Sequence, residues 1–433
     1  MVPAAETFEL NKIMRILIAA YMLDPGGGSE GALGWNRTWS LARDHEVTVL
    51  TLDHPERRAR IEAAQALAPE RKLAVEYIAQ PPRGWRPPEP NPLMWFISNF
   101  QAARQYNGWA QRAGLRAQEL HQANPFDVAH HVSFAGLYHG TCLAALPAGV
   151  PLVIGPVGSG VMTDPMFHPY LEGQVLSERL RSLALKLSLA LPGTNRRATR
   201  AVRRSQLIVC TNPETEVLAR RLGASNTVLE WESTLDESYY LPVDGVRPPA
   251  PLEILWVGTL RPPKGLNLAL DMLQRLGSER PWRMRIIGDG PVKDRIPGWL
   301  ASRGLTDRVE FVGRVSYGEL RQYYAASHAM LFTSFRDNGG NQLLESMALG
   351  CIPIALDQGG ARVLITSGQD GYIVPLENVP QVIQTGADIL KNLMEHPELM
   401  ASISASGRER AWEYRSETEL PRLEAFYRQV KTS

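Results

Sequence analysis

Cysteine is scarce: the 433 residues hold three, Cys142, Cys210 and Cys351, each alone in an apolar segment and none in a CxxC pair. That excludes a disulfide framework and a cysteine-built zinc site, and it fits buried thiols in a reducing compartment. Net charge is nearly absent as well, with 46 basic against 45 acidic residues and a formal charge of +1. A surface that coats nucleic acid is therefore not expected, although local patches are. No run reaches the ~18 apolar residues that read as a membrane span. Met1 to Lys12 are polar and acidic, unlike the basic and then apolar start of a signal peptide, and read as a start-site extension or a tail. Cytoplasmic placement follows as the expectation.

What is present is a repeating alternation of short apolar runs with amphipathic segments, in a chain too long for one core. Met14 to Ala20 reads as a strand buried on both faces of a parallel sheet, followed by the glycine turn Gly26, Gly27 and Gly28 and a helix from Ser29. The contiguous glycines lack GxGxxG spacing, so no nicotinamide fingerprint is supported, but close approach of a ligand to the backbone is. Further strands read at Glu46 to Leu52, Leu73 to Ile78, Phe126 to Val132, Leu152 to Pro156, Gln206 to Thr211 and Thr227 to Leu229. Pro81 to Pro92 reads as a long loop leading into a helix, whose Trp95, Phe96 and Phe100 pack on the core or, less favoured, touch substrate. His131, at the end of a strand, is a candidate contact for a sugar or an acceptor, against the commoner reading of a buried histidine. The segment 176–204 is apolar with interspersed arginines. A solvated helix face is its first reading and peripheral contact with an anionic membrane its second.

Leu241 to Pro251 breaks all periodicity and reads as a linker between residues 14–240 and 252–415. Beyond it the alternation restarts with Ile254 to Val257 and the turn GTLRPPKG, in which Arg261 and Lys264 stand beside a helix start. Two cations there suit a diphosphate, one as a fork and one as a point charge. Strands then read at Arg283 to Gly290, Val309 to Val312, Met330 to Phe332, Ile352 to Leu356 and Gly371 to Val374, with the remainder largely helical and broken near Arg415 and Ser416. In Met330 to Ile354 a strand enters a polar loop of Asp337, Asn338, Gly339 and Gly340, and then a helix that Asn341 can cap. Free backbone N–H groups and a positive helix end suit a phosphate. Glu345 follows, a carboxylate able to accept two sugar hydroxyls. An ordinary strand-to-helix connection with a surface glutamate is the plainer alternative.

Taken together, GGGSEG, VGTLRPPKG, IIGDGP, VEFVGRV and SFRDNGGNQLLESMALGCIPI resemble, in order and spacing over residues 14 to 430, the large retaining GT-B glycosyltransferases of the family 4 type, glycosyl transferases group 1. The resemblance implies an α/β fold of two Rossmann-like domains facing across a cleft, with a final helix, 416–433, crossing back to complete the first domain. It implies a nucleotide-diphosphate sugar donor held by Arg261 and Lys264 at the diphosphate and by Glu345 at the ribose. The backbone around Gly339 to Leu343, with Asn341 and Gln342, would meet phosphate and sugar. Gly28 would let the first domain close on the donor, Gly313 to Val315 would meet the base, and Asn338 would border the donor. Asp337 stands where the family usually has Glu, and GPVGSG stands where many members carry a His, which leaves His131 as a weaker substitute.

Transfer to a hydroxyl of a glycan, lipid-linked or small-molecule acceptor, with retention, is what the resemblance implies. The chain has no DxD motif, so neither a metal nor a cofactor is expected. Arg261, Lys264 and two helix ends would stabilise the leaving diphosphate electrostatically, with Asp337 binding donor hydroxyls. A glycosidase could pair Asp337 with Glu345, but their place around a helix start favours phosphate. A sugar-nucleotide epimerase of the same fold, or a non-catalytic sugar-nucleotide or glycan-binding protein, are the other readings. A peripheral position on the inner face of the membrane accompanies the second reading of 176–204.

Overall fold

The computed structural model describes residues 13–25, 29–79, 92–190, 196–231, 234–235, 237–241 and 250–432. The first glycine turn at Gly26 to Gly28, the proline-rich stretch 80–91 and linker residues 242–249 lie outside them.

Short apolar runs too brief for helices become strands buried on both faces, which is the signature of a parallel sheet covered by helices. β1 (Arg15–Ala20), β2 (Glu46–Leu52), β3 (Leu73–Ile78), β4 (Val128–Ser133), β5 (Leu152–Val157), β6 (Leu207–Cys210) and β7 (Thr227–Leu229) form one parallel sheet in the order 3-2-1-4-5-6-7. β8 (Leu252–Val257), β9 (Trp282–Ile287), β10 (Val309–Gly313), β11 (Ala329–Phe332), β12 (Ile352–Leu356) and β13 (Tyr372–Val374) form a second, in the order 10-9-8-11-12-13. Strand order reverses between β1 and β4 in the first sheet, where Ile16 pairs with Val128. In the second it reverses between β8 and β11, where Ile254 pairs with Ala329. Such reversals open a crevice at the carboxyl ends of the strands. The turns singled out after β8 and β11 flank the second one.

The pleat explains the cores. Along β1, Leu17 and Ala19 face a cluster with Tyr106 and Trp109 of helix 92–123, while Ile16, Ile18 and Ala20 face the opposite one. That second cluster includes Leu420, Leu423, Tyr427 and Val430 of the last helix, Ser416–Thr432, so the chain's end does cross back to the first domain. Polar contacts fix its register: Arg37 Nε donates to Glu419 Oε1 at 2.7 Å, Lys431 pairs with Asp127 at 2.8 Å, and Tyr427 Oη lies 2.6 Å from His130 Nδ1. Two Rossmann-like domains joined in this way are the GT-B arrangement.

Three local outcomes differ from the sequence reading. The strand expected to reach Gly290 stops at Ile287, because the following backbone presses against the β8 turn. A Cβ at Gly288, whose φ is 149°, would stand 1.9 Å from Gly258 O, and one at Gly290 would stand 2.4 Å from Leu260 O. A short helix at Ile296–Arg303 was not read, since it starts with Pro and Gly in its first turn. Finally, the segment 165–171 after β5 carries Phe167 and Leu171 into the core of the second domain, where Phe167 stacks on Phe335 at 4.4 Å.

Candidate functional site

The turns after β8 and β11 are laced together by a backbone and a side-chain hydrogen bond. Phe335 N donates to Pro263 O at 2.8 Å and Thr333 Oγ1 to Gly265 O at 2.8 Å. Gly265, at φ 71°, opens helix Leu266–Leu276, and a Cβ there would lie 2.0 Å from Thr333 O, so only glycine allows this approach. The lacing brings Lys264 Nζ to 2.5 Å from Asp337 Oδ2, two residues 73 positions apart. Arg261 starts the same turn, exposed and without an ion pair among the described residues. One cation is thus held at the mouth of the β11 loop while a second stays available for an anion.

Behind the loop, Glu345 is 5% exposed on helix Asn341–Ala348. It is the fifth residue of that helix, one turn in from the loop. Helix Tyr317–Ala326, started by a Ser316/Glu319 capping box, presents Tyr317 and Tyr324 two turns apart, and their hydroxyls donate to Glu345 at 3.3 and 2.9 Å. Burial pushes the Glu345 carboxyl up to about 7, against the pull of these two hydrogen bonds. The tyrosines escaped the sequence reading because nothing in their spacing marks a partner that folds in from another helix. Tyr239, buried beside the cluster with its ring 5.4 Å from that of Tyr317, was missed for the same reason.

The remaining candidates divide. Gly339, Gly340, Gln342 and Leu343 lie at the start of the helix that carries Glu345, and Leu343 N donates to Gly340 O at 2.8 Å. Gly340, at φ 98°, is itself the cap, and a Cβ there would meet the Phe332 ring at 2.6 Å. The glycine therefore serves the turn's own packing as well as any ligand. Asn341 does not cap this helix as expected: it lies one residue inside it, and its buried Oδ1 lacks a hydrogen-bond partner. Gly313, at φ 88°, and the half-buried Val315 lie just before helix Tyr317–Ala326, with Val315 packed on the Glu345 side. Gly28 falls outside the described residues. His131 is fully buried, its ring parallel to that of Tyr106 at 6.4 Å, and burial pushes it down to about 4. It is a neutral core histidine with an aromatic partner. Its neighbour His130, not singled out, bridges Tyr427 and Gly155 O at 2.6 and 2.7 Å.

The first domain reaches into the site. Asn212 Nδ2 donates to Asn338 O at 2.9 Å, and Arg336 lies 3.4 Å from Glu178, which Arg181 also faces at 3.6 Å. A cavity of about 630 Å³ lies between the domains, lined among others by Asp164, His168, Glu178, Glu214 and Arg362. Glu178 and Arg181 belong to helix Val175–Ala190, which exposes Leu176 and Leu180 at 62% and 39% away from the cavity, while Leu183 lines the cavity beside Glu178. Within 176–204, residues 191–195 are outside the described set. In the next helix Arg196, Arg197, Arg200 and Arg203 are exposed. Among the described residues, no three His, Cys, Asp or Glu side chains cluster as metal ligands, and no helix is long and apolar enough to cross a membrane.

Residues 244–410 match the family model described as glycosyl transferases group 1. The alpha-D-kanosaminyltransferase of Streptomyces kanamyceticus is 28% identical over 147 residues, which cover 34% of this chain and 37% of that protein. The D-inositol 3-phosphate glycosyltransferase of Streptomyces bingchenggensis (strain BCW-1) is 28% identical over 192 residues, covering 40% and 42%. The chain thus spans less than half the length of these curated relatives. Among solved structures, Anabaena HepE in complex with UDP superposes with a TM-score of 0.62 at 15% identity, covering 96% of this chain and all of that one. Sucrose-phosphate synthase from Thermosynechococcus elongatus gives 0.63 at 15%, covering 96% and 99%. At such identities the likeness is one of fold, and it is the fold built above.

Proposed function

The chain carries a glycosyl transferases group 1 domain in residues 244–410, and from that premise we propose that it moves a sugar from a nucleotide-diphosphate donor to an acceptor hydroxyl. The observation that carries this reading is the lacing of two phosphate-suited turns, which sets Lys264 against Asp337 and leaves Arg261 exposed beside them. Arg261 and Lys264 bind the diphosphate, Glu345 takes the ribose hydroxyls, and the region around Gly313 and Val315 meets the base. The relative solved with UDP makes uridine donors the first to test.

In this reading, negative charge grows on the diphosphate as the glycosidic bond breaks, and Arg261 and Lys264 stabilise it together with the start of the helix after Gly340. Lys264 is then shared between the leaving group and Asp337, whose carboxylate orients a hydroxyl of the transferred sugar. Retention follows if the acceptor attacks from the diphosphate's own face and passes its proton to a phosphate oxygen. The chemistry needs no metal, because two cations already meet the developing charge. The acceptor, a glycan, a lipid-linked sugar or a small molecule, enters from the cavity that Glu178 and Glu214 line. The exposed Leu176 and Leu180 of helix Val175–Ala190, with the arginines that follow, favour a peripheral contact with anionic lipid on the inner face of a cytoplasmic membrane.

Incubation with a panel of nucleotide sugars, with and without acceptors, tests the reading through released nucleoside diphosphate. Acceptor-dependent release supports transfer. Donor inverted at C2 indicates the epimerase instead, and tight binding without turnover on a broad acceptor panel indicates a binding module.

A further inference from the structure

One group of the first domain grips the turn that carries Asp337. Asn212 is fully buried and caps helix Pro213–Arg221: its Oδ1 accepts from Thr215 N at 2.8 Å and from Thr215 Oγ1 at 2.7 Å. Because Oδ1 is committed to the cap, the amide can present only its N–H₂ outward, and Nδ2 donates to Asn338 O at 2.9 Å. Thr211 Oγ1 stands 3.4 Å from the same oxygen. On the other side, Gly360 leaves room for that oxygen, since a Cβ there would lie 2.7 Å from it. Gly158, in the turn after β5, comes so close that its Cβ would lie 2.3 Å from Asn338 Cβ. The turn is thus clasped between Gly158, Thr211 and Asn212 of one domain and Gly360 of the other.

We infer that Asn212 is a positioning residue: it sets the peptide plane between Asn338 and Gly339, and through it the donor-facing turn. In a trans peptide, C=O and N–H point to opposite sides. An Asn338 oxygen held toward Asn212 therefore turns the Gly339 N–H to the opposite face of the turn. The cap does the aiming, so the first domain's helix and the second domain's loop share one side chain. Only the kinetic consequence rests on the nucleotide-sugar reading; the clasp itself does not.

Asn212→Asp separates the two duties. Aspartate caps a helix as well as asparagine, and the helix dipole favours it, but a carboxylate has no proton to donate to Asn338 O. The buried carboxylate carries a desolvation cost, so we expect a lowered melting temperature at pH 8, with wild-type amide protection kept in 213–221. In the wild type Asn212 Nδ2 also donates to Thr211 Oγ1 at 3.2 Å, within its own domain; loss of the bond to Asn338 O alone raises hydrogen exchange across 334–344 about tenfold. kcat falls about tenfold or more while affinity for the nucleoside diphosphate stays within about threefold, since Glu345 and Lys264 are untouched. Gly158→Ala, at a glycine without a left-handed backbone, pushes on the same turn from the other side and gives the same exchange signature. Wild-type exchange at 334–344 in both variants overturns the inference. Raised exchange in a protein whose wild type transfers no sugar leaves the clasp standing and defeats the proposed function instead.

Discussion

Replacing Glu345 by glutamine should strengthen the fold and weaken nucleotide binding at once. The carboxyl is 5% exposed and its pKa rises from 4.5 to about 7, largely through burial. At about 1.36 kcal/mol per tenfold change, that rise makes the ionised form roughly 3 kcal/mol costlier in the folded chain than in the unfolded one. The sign follows: the penalty is absent below pH 4.5, grows through the window up to about 7, and is complete above it. Glutamine has nearly the same shape without the charge, and the rise to about 7 is already net of the Tyr317 and Tyr324 hydrogen bonds. The variant should therefore be about 3 kcal/mol more stable at pH 8.5 and within about 1 kcal/mol of wild type at pH 5. Two ribose hydroxyls that lose a charged acceptor cost roughly 2–3 kcal/mol, or about 30- to 150-fold in affinity. Thermal melts of both proteins across that pH range, with calorimetric titration of a nucleoside diphosphate, read both effects. A melting difference that stays flat from pH 5 to pH 8.5 would refute the burial argument, and unchanged affinity would refute the ribose assignment.

Lys264→Ala should lower transfer by about 100-fold or more with little loss of stability, since its pair with Asp337 is partly exposed and such pairs contribute roughly 0–1 kcal/mol. Steady-state kinetics beside a melting curve decides it, and wild-type turnover removes Lys264 from the site. Tyr427→Phe deletes the buried hydroxyl 2.6 Å from His130 and should cost about 1–2 kcal/mol in denaturant unfolding while leaving nucleotide affinity unchanged. Flotation with anionic liposomes at low salt should recover the protein in the lipid fraction, and the pair Leu176→Glu with Leu180→Glu should abolish this. Absence of the wild type from that fraction counts against membrane contact.

Much of the fold was legible because a parallel sheet buries both faces of its strands. MRILIAA, VLTL and LEILWV announce themselves without tertiary information, and the restart after the proline-rich stretch 241–251 separates two such alternations. The glycines of the β8 and β11 turns, and the placing of Arg261 and Lys264 in one turn, were legible for the same reason, since local backbone demands leave local marks. What only the tertiary structure decided were relations between distant segments. It set Lys264 against Asp337, folded Tyr317 and Tyr324 over Glu345, and carried Phe167 into the other domain's core. It also made His131 a buried partner of Tyr106. Sequence periodicity reports which face of an element is buried. It says nothing of which other element covers that face, and burial by a particular neighbour is what raises the pKa of Glu345, aims Asn212 at Asn338 and removes His131 from solvent.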